Sequence, residues 1–230
     1  MNLNIDNYGG KGVVPVFCGS YVTGTAFFVT PTHLLTAGHV IAEYILDKEK
    51  MVAVVVEEEY KVCRVLAHQA IPDVAILECV EYICPNEYLL PLLGSKFKEG
   101  IDLLIVGYPR ELGNSVDYFG VTVKNSREKA DLKGGFDRIV VRTDSFGFNS
   151  YEGFSGSPVI NAFGMVVGIE TDQLYYSLGY LSIVAIKKLV EKEIEIRIEE
   201  NDDLYDNTPY GLRRSYNHIR EHTCDMLKTR

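Results

Sequence analysis

The sequence predicts an all-β fold, a sandwich or barrel in two halves, followed by a C-terminal helix. Three observations carry this. Short runs rich in Val, Ile, Phe and Tyr fill the first 183 or so residues. Gly, Pro, Asn and Asp punctuate the intervals between them. A helical period appears only after Ser182.

The first half holds VVPVFC (13–18), GTAFFVT (24–30), MVAVVVE (51–57), KVCRVLA (61–67) and DVAILE (73–78). Residues 84–100 are less regular and read as the connection between halves. A second series follows: DLLIVGY (102–108), VDYFGVTVK (116–124), DRIVVRT (137–143), SPVIN (157–161), MVVGIE (165–170) and YLSIVA (180–185). Many short strands with little helix point to a sandwich or barrel. Ile186, Leu189, Val190 and Ile194 then recur at helical spacing, which predicts a helix starting near Ile183. Its end is ambiguous, because Ile194, Ile196 and Ile198 alternate with charged residues at strand period. Residues 1–183 are expected to form one domain of two halves, 1–90 and 101–183, and residues 184–230 a helix and charged tail.

Composition narrows the function classes. Apolar residues at 47% and charged residues at 24% fit a folded globular chain of 230 residues. A formal charge of −9 argues against binding nucleic acid, which needs clustered Lys and Arg. MNLNIDNYGGKGVV has no secretory-leader pattern, and no apolar run reaches the length of a membrane span. The five cysteines (Cys18, Cys63, Cys79, Cys84, Cys224) are odd in number and lack metal-ligand spacing. Free thiols in a reducing compartment fit best, so the expected location is the cytoplasm.

Acyl transfer by serine needs a hydroxyl, an imidazole base, a carboxylate that orients the base, and two backbone N–H groups for the oxyanion. Candidates occur in the order His, Asp, Ser. Thr36-Ala37-Gly38-His39-Val40 follows the apolar stretches Gly24–Val29 and Leu34-Leu35. Pro72-Asp73-Val74-Ala75-Ile76-Leu77 sets an acid at the start of an apolar strand, 34 residues (73 minus 39) after His39. Gly153-Phe154-Ser155-Gly156-Ser157-Pro158-Val159 flanks a serine with glycines that permit a tight turn exposing its hydroxyl.

These three strings closely resemble the histidine, aspartate and serine segments of the trypsin-like (chymotrypsin-fold) serine peptidases. The version without disulfides looks most like bacterial intracellular or HtrA-like members. The resemblance covers roughly residues 12–185. It implies two packed antiparallel six-stranded β-barrels and a serine endopeptidase acting on protein or peptide substrates. His39, Asp73 and Ser155 would form the catalytic triad, and the amides of Gly153 and Ser155 the oxyanion hole. Neither cofactor nor metal is needed. His218 and His222, spaced i, i+4, lack a cluster to complete a metal site, and His33 and His68 read as loop residues.

Departures from the family pattern matter too. Phe154 stands where many secreted relatives carry an Asp that pairs with a newly cut N-terminus, so activation by N-terminal cleavage is not expected. The loop 144–154 is longer than in HtrA-like sequences and rich in aromatics and glycine, which suggests a mobile switch of the oxyanion hole. Asn149 occupies the position six residues before Ser155 where trypsins place the pocket acid. Glu152, Glu170 and Asp172, with Thr171, are candidates for substrate binding that would favour Lys or Arg at the cleaved position. The three acids read equally as solvated surface residues.

Two further readings stay open at this level. The fold could serve as a catalytically inactive binding module or scaffold. Alternatively, the chain could be the protease of a larger bacterial defence or regulatory system that cleaves a dedicated partner. Residues 201–230, with five bases and two acids after residue 210, would then be the docking element.

Overall fold

The computed structural model describes residues 11–95, 100–110, 115–125, 138–143, 151–174 and 177–201. Asn149, His218, His222, Cys224 and the segment 202–230 lie outside them, as does most of loop 144–154.

Six strands close into a first barrel: β1 (Val13–Cys18), β2 (Val22–Phe28), β3 (His33–Thr36), β4 (Val52–Val56), β5 (Glu59–Ala70) and β6 (Asp73–Cys79), in the order β1-β2-β3-β6-β5-β4. Two expectations change here. His33 is the first residue of β3, paired with Glu78, and His68 lies within β5, paired with Ala75. Neither is a loop residue, because β5 runs on to pair Ala70 with Asp73, and β3 is a short strand too brief to announce itself by alternation. A 3-10 turn, Gly38–Ile41, and the short helix α1 (Ala42–Leu46) also follow β3.

A short strand β7 (Leu93–Gly94) leads to the second sheet. Its strands are β8 (Asp102–Gly107), β9 (Asp117–Asn125), β10 (Arg138–Thr143), β11 (Pro158–Ile160), β12 (Val166–Leu174) and β13 (Ser177–Ser182). They pair antiparallel in the order β10-β13-β12-β11-β8-β9, with β9 also meeting β10. The expected strand 180–185 stops at Ser182, because the Ser182 hydroxyl accepts from the Val184 amide at 3.1 Å and caps helix α2 (Ile183–Ile194). Such a cap contributes about 1 kcal/mol.

Period-two alternation sorts the first barrel's strands onto two faces. Val14, Ala26, Phe28, Leu34, Ala75 and Leu77 fill its interior. Val13, Phe27, Leu35, Val74 and Ile76 point outward into a second core. That core also takes Val106, Ile160, Val166, Ile169 and Leu181 from the second sheet. Helix α2 adds Ile183, Ile186, Val190 and Ile194, while Leu189 of the predicted stripe is only partly buried against the same core. The helix is therefore part of the joint between the two sheets. Beyond it, β14 (Glu199–Glu200) lies parallel to β7 and resolves the ambiguous end of the helical pattern.

Candidate active site

The site starts where β3 ends. Gly38 and His39 turn back over the β5–β6 hairpin, and the closeness of that turn needs a bare backbone. A Cβ at Gly38 would sit 2.9 Å from Asp73 Oδ1 and 2.9 Å from the Gln69 carbonyl oxygen. Asp73 opens β6 and grips His39 twice. The His39 backbone amide donates to Oδ1 at 2.8 Å, and the ring Nδ1 lies 2.6 Å from Oδ2. One carboxylate thus fixes both the backbone and the ring. With Nδ1–H donated to Asp73, the neutral ring keeps Nε2 as its acceptor. The imidazole is 46% exposed and the Asp73 side chain 17%, so the ring is open to solvent and the carboxylate sits behind it.

Ser155 lies across strand β2 from this pair. The Thr25 amide donates to the Ser155 carbonyl at 2.8 Å. At Gly24 a Cβ would meet both that carbonyl oxygen, at 2.6 Å, and a Val40 methyl, at 2.5 Å. Strand β2 is stripped to backbone there, which lets the serine loop and the turn bearing His39 approach from opposite sides.

The loop around Ser155 is tied down carbonyl by carbonyl. Glu152 O accepts from the Arg110 amide at 2.7 Å, Gly153 O from the Thr25 hydroxyl at 2.7 Å, and Phe154 O from the Ser157 amide at 2.8 Å. In a trans peptide the N–H points opposite to the C=O. Fixing the Glu152 and Phe154 carbonyls therefore fixes the direction of the Gly153 and Ser155 amides. Neither amide has a hydrogen-bond acceptor among the described residues. Gly153 adopts φ +96°, a left-handed backbone that favours glycine.

Phe154 is fully buried against Val159, Val167 and Tyr180, with Tyr151 tilted beside it at 6.2 Å between ring centroids. Where an acid would need an ion-pair partner, the aromatic anchors the loop by burial alone, on the order of 2–3 kcal/mol.

The candidate specificity residues separate. Glu152 is an exposed rim residue in an ion pair with Arg110 at 3.3 Å. Glu170 is no surface acid: it is 2% exposed. Its backbone brackets the serine loop, accepting from Gly156 N at 2.7 Å and donating to Ser157 O at 2.9 Å. It pairs directly with Tyr180 across β12 and β13, so both side chains lie on one face, the inner face that also buries Phe154. Thr171 is buried beside it, and Asp172 lies further along β12, paired with Gly179.

Three contributors were not singled out from sequence. Thr25 is fully buried, and its hydroxyl both donates to Gly153 O and accepts from the Tyr108 amide at 3.0 Å. Tyr108 in turn donates from its phenol to Val13 O at 3.1 Å. Arg110 lies 5.2 Å over the Tyr21 ring, whose hydroxyl donates to Glu43 at 2.5 Å. The one sequence signal was the Gly24-Thr25 pair inside the apolar run, where a hydroxyl interrupts residues that otherwise only need to be buried.

Comparison with known proteins adds two findings. The trypsin-like peptidase domain family matches residues 24–169. Among solved structures, the active form of the Rv3671c protease from M. tuberculosis superposes with a TM-score of 0.67 at 20% identity, covering 84% of this chain and 85% of that one. Deg5 gives 0.66 at 18% identity, over 84% and 94% of the two chains. The HtrA-type protease AlgW, solved with a decapeptide, gives 0.65 at 18% identity, over 84% and 67%.

Proposed function

The chain belongs to the trypsin-like peptidase family, a class of serine protease hydrolases, and we propose that it cleaves peptide bonds with Ser155 as nucleophile, His39 as general base and Asp73 as the orienting acid. The two sheets serve as the paired six-stranded barrels of that fold, and the cleft between them receives an extended peptide.

Ser155 Oγ attacks the scissile carbonyl carbon while His39 Nε2 takes its proton. Asp73 steadies the imidazolium that results. The amides of Gly153 and Ser155 receive the oxyanion. His39 then returns the proton to the leaving amine, and water hydrolyses the acyl-enzyme by the same route in reverse. The single observation that carries this reading is the double grip of Asp73 on His39, which leaves Nε2 as the free acceptor on the cleft side. Phe154, buried without an ion pair, removes the need for a newly cut N-terminus. The cytoplasm, with its reduced thiols, is the compartment this reading assumes.

The acid at the base of the serine loop suggests the substrate class. Glu170 presents a carboxylate to the inner face beside Tyr180, directly behind Gly156 and Ser157. It supports a preference for Lys or Arg at the cleaved position, and Glu152 stands at the exposed rim beside Arg110. A single dedicated protein target, docked through residues 201–230, fits the same chemistry.

Hydrolysis of a randomised peptide library tests this. Cleavage after Lys and Arg is expected, abolished by Ser155→Ala, with the basic preference reduced about 100-fold by Glu170→Gln. A folded wild-type protein that cleaves nothing, alone or with candidate partners, would instead indicate a binding scaffold.

A further inference from the structure

The first barrel holds a pair of thiols for which peptide hydrolysis has no use. Cys63 on β5 and Cys79 at the end of β6 are direct cross-strand partners. The Cys79 amide donates to Thr32 O at 2.8 Å, toward the β3 side and away from β5. This is therefore a non-hydrogen-bonded position of the antiparallel ladder, where facing Cα atoms approach to about 4.5 Å. A disulfide spans Cα separations of about 4.4–6.8 Å, so the ladder supplies the needed distance without backbone movement. Directly opposed residues share a face, and both side chains enter the barrel interior beside Val52, Val54 and Leu77.

The two thiols also differ from their neighbours chemically. The neighbouring Cys63 thiol lowers the pKa of Cys79 while that of Cys63 rises in response, and Cys63 Sγ–H itself donates to the Lys61 carbonyl at 3.8 Å. Cys18 and Cys84 share the interior, but burial pushes their thiols up, Cys84 to about 12. The pair thus joins one thiol of lowered pKa to an immediate thiol neighbour, whereas Cys18 and Cys84 are shifted the other way.

We propose that Cys63 and Cys79 form a cross-strand disulfide when the protein meets a peroxide. The Cys79 thiolate attacks one peroxide oxygen and breaks the O–O bond, becoming a sulfenic acid, while the departing oxygen leaves as water after protonation. The Cys63 sulfur then attacks the Cys79 sulfur and expels the hydroxyl, which takes the Cys63 thiol proton and leaves as a second water. Two thiols are oxidised by two electrons, and one peroxide is reduced to two waters. Cys63 is 6% exposed and Cys79 fully buried, which excludes a bulky disulfide oxidant and leaves a small peroxide as the oxidant. The bond would staple the β5–β6 hairpin. Asp73 stands at the opposite end of β6, about 20 Å along the strand at roughly 3.4 Å per residue, so the active site is not disturbed.

The test uses the full chain carrying Cys224→Ser, treated with stoichiometric hydrogen peroxide, then unfolded, alkylated and mapped. The expected result is loss of two hydrogens and a cross-linked pair of peptides containing Cys63 and Cys79, with Cys18 and Cys84 both alkylated. The oxidised form should melt about 5–10 °C higher than the reduced one, a rise absent from Cys63→Ser. The Cys63→Ser variant keeps the readout valid, since its Cys79 should stop at the sulfenic acid or go beyond it. Recovery of both cysteines as alkylated thiols after oxidation, or of over-oxidised Cys79 beside a free Cys63, would overturn the proposal. None of these readouts depends on the peptidase reading.

Discussion

His39 and Asp73 meet inside one barrel, 34 residues apart in sequence and joined by two hydrogen bonds from a single carboxylate. Ser155 is held differently. Its loop is secured to strand β2 through Thr25, across 128 residues at Gly153, and to the stretch after β8 through Arg110. His39 and Asp73 form a self-contained unit of the first barrel. The serine loop has direction only while the two sheets stay in contact. Disturbing the first unit should damage proton transfer alone, whereas disturbing the second should misdirect the amides while leaving the base intact.

Three substitutions sharpen that contrast, from the largest expected effect downward. Asp73→Asn removes the acceptor that selects the Nδ1–H tautomer, and kcat for peptide hydrolysis should fall by about 10⁴-fold. Steady-state kinetics should show KM nearly unchanged. Thr25→Val keeps the volume but takes both hydrogen bonds from Gly153 O and Tyr108 N. The expected loss is about 10–100-fold in kcat, smaller than the cost of deleting an oxyanion donor outright. A loss in KM alone would break the link between Thr25 and the loop's direction. Arg110→Ala deletes the exposed ion pair to Glu152 and the contact with Tyr21 but retains the backbone N–H that holds Glu152 O. Its effect should stay within about 5-fold, because exposed pairs contribute little. Raising the salt concentration should erase the difference from wild type.

The self-contained unit was legible in sequence, and the dependent one only in part. The strings around His39, Asp73 and Ser155 each combine local turn chemistry with an apolar strand, and local chemistry is what a sequence displays. Gly38 is a clear case, since the room a Cβ would take from Asp73 makes a small residue obligatory. Thr25 escaped notice because a Thr within an apolar run satisfies β-propensity whether or not its hydroxyl has a task. Its partners, Gly153 and Tyr108, lie in distant parts of the chain that no periodicity relates to it. Glu170 was visible as an acid but not as a buried one, because its burial comes from the inner face it shares with its cross-strand partner Tyr180. The helical period after Ser182 was plain, while the membership of α2 in the core between the sheets depended on contacts with both.

The most direct measurement is the site of covalent modification by a fluorophosphonate probe, mapped by peptide mass spectrometry on the full chain. The probe reacts where an activated serine lies beside oxyanion donors, so no knowledge of the substrate is needed. A single adduct on Ser155, lost in Ser155→Ala and His39→Ala and slowed in Thr25→Val, is the predicted result. An adduct on another serine, or none on protein that remains folded, would contradict the assignment of Ser155 as the nucleophile.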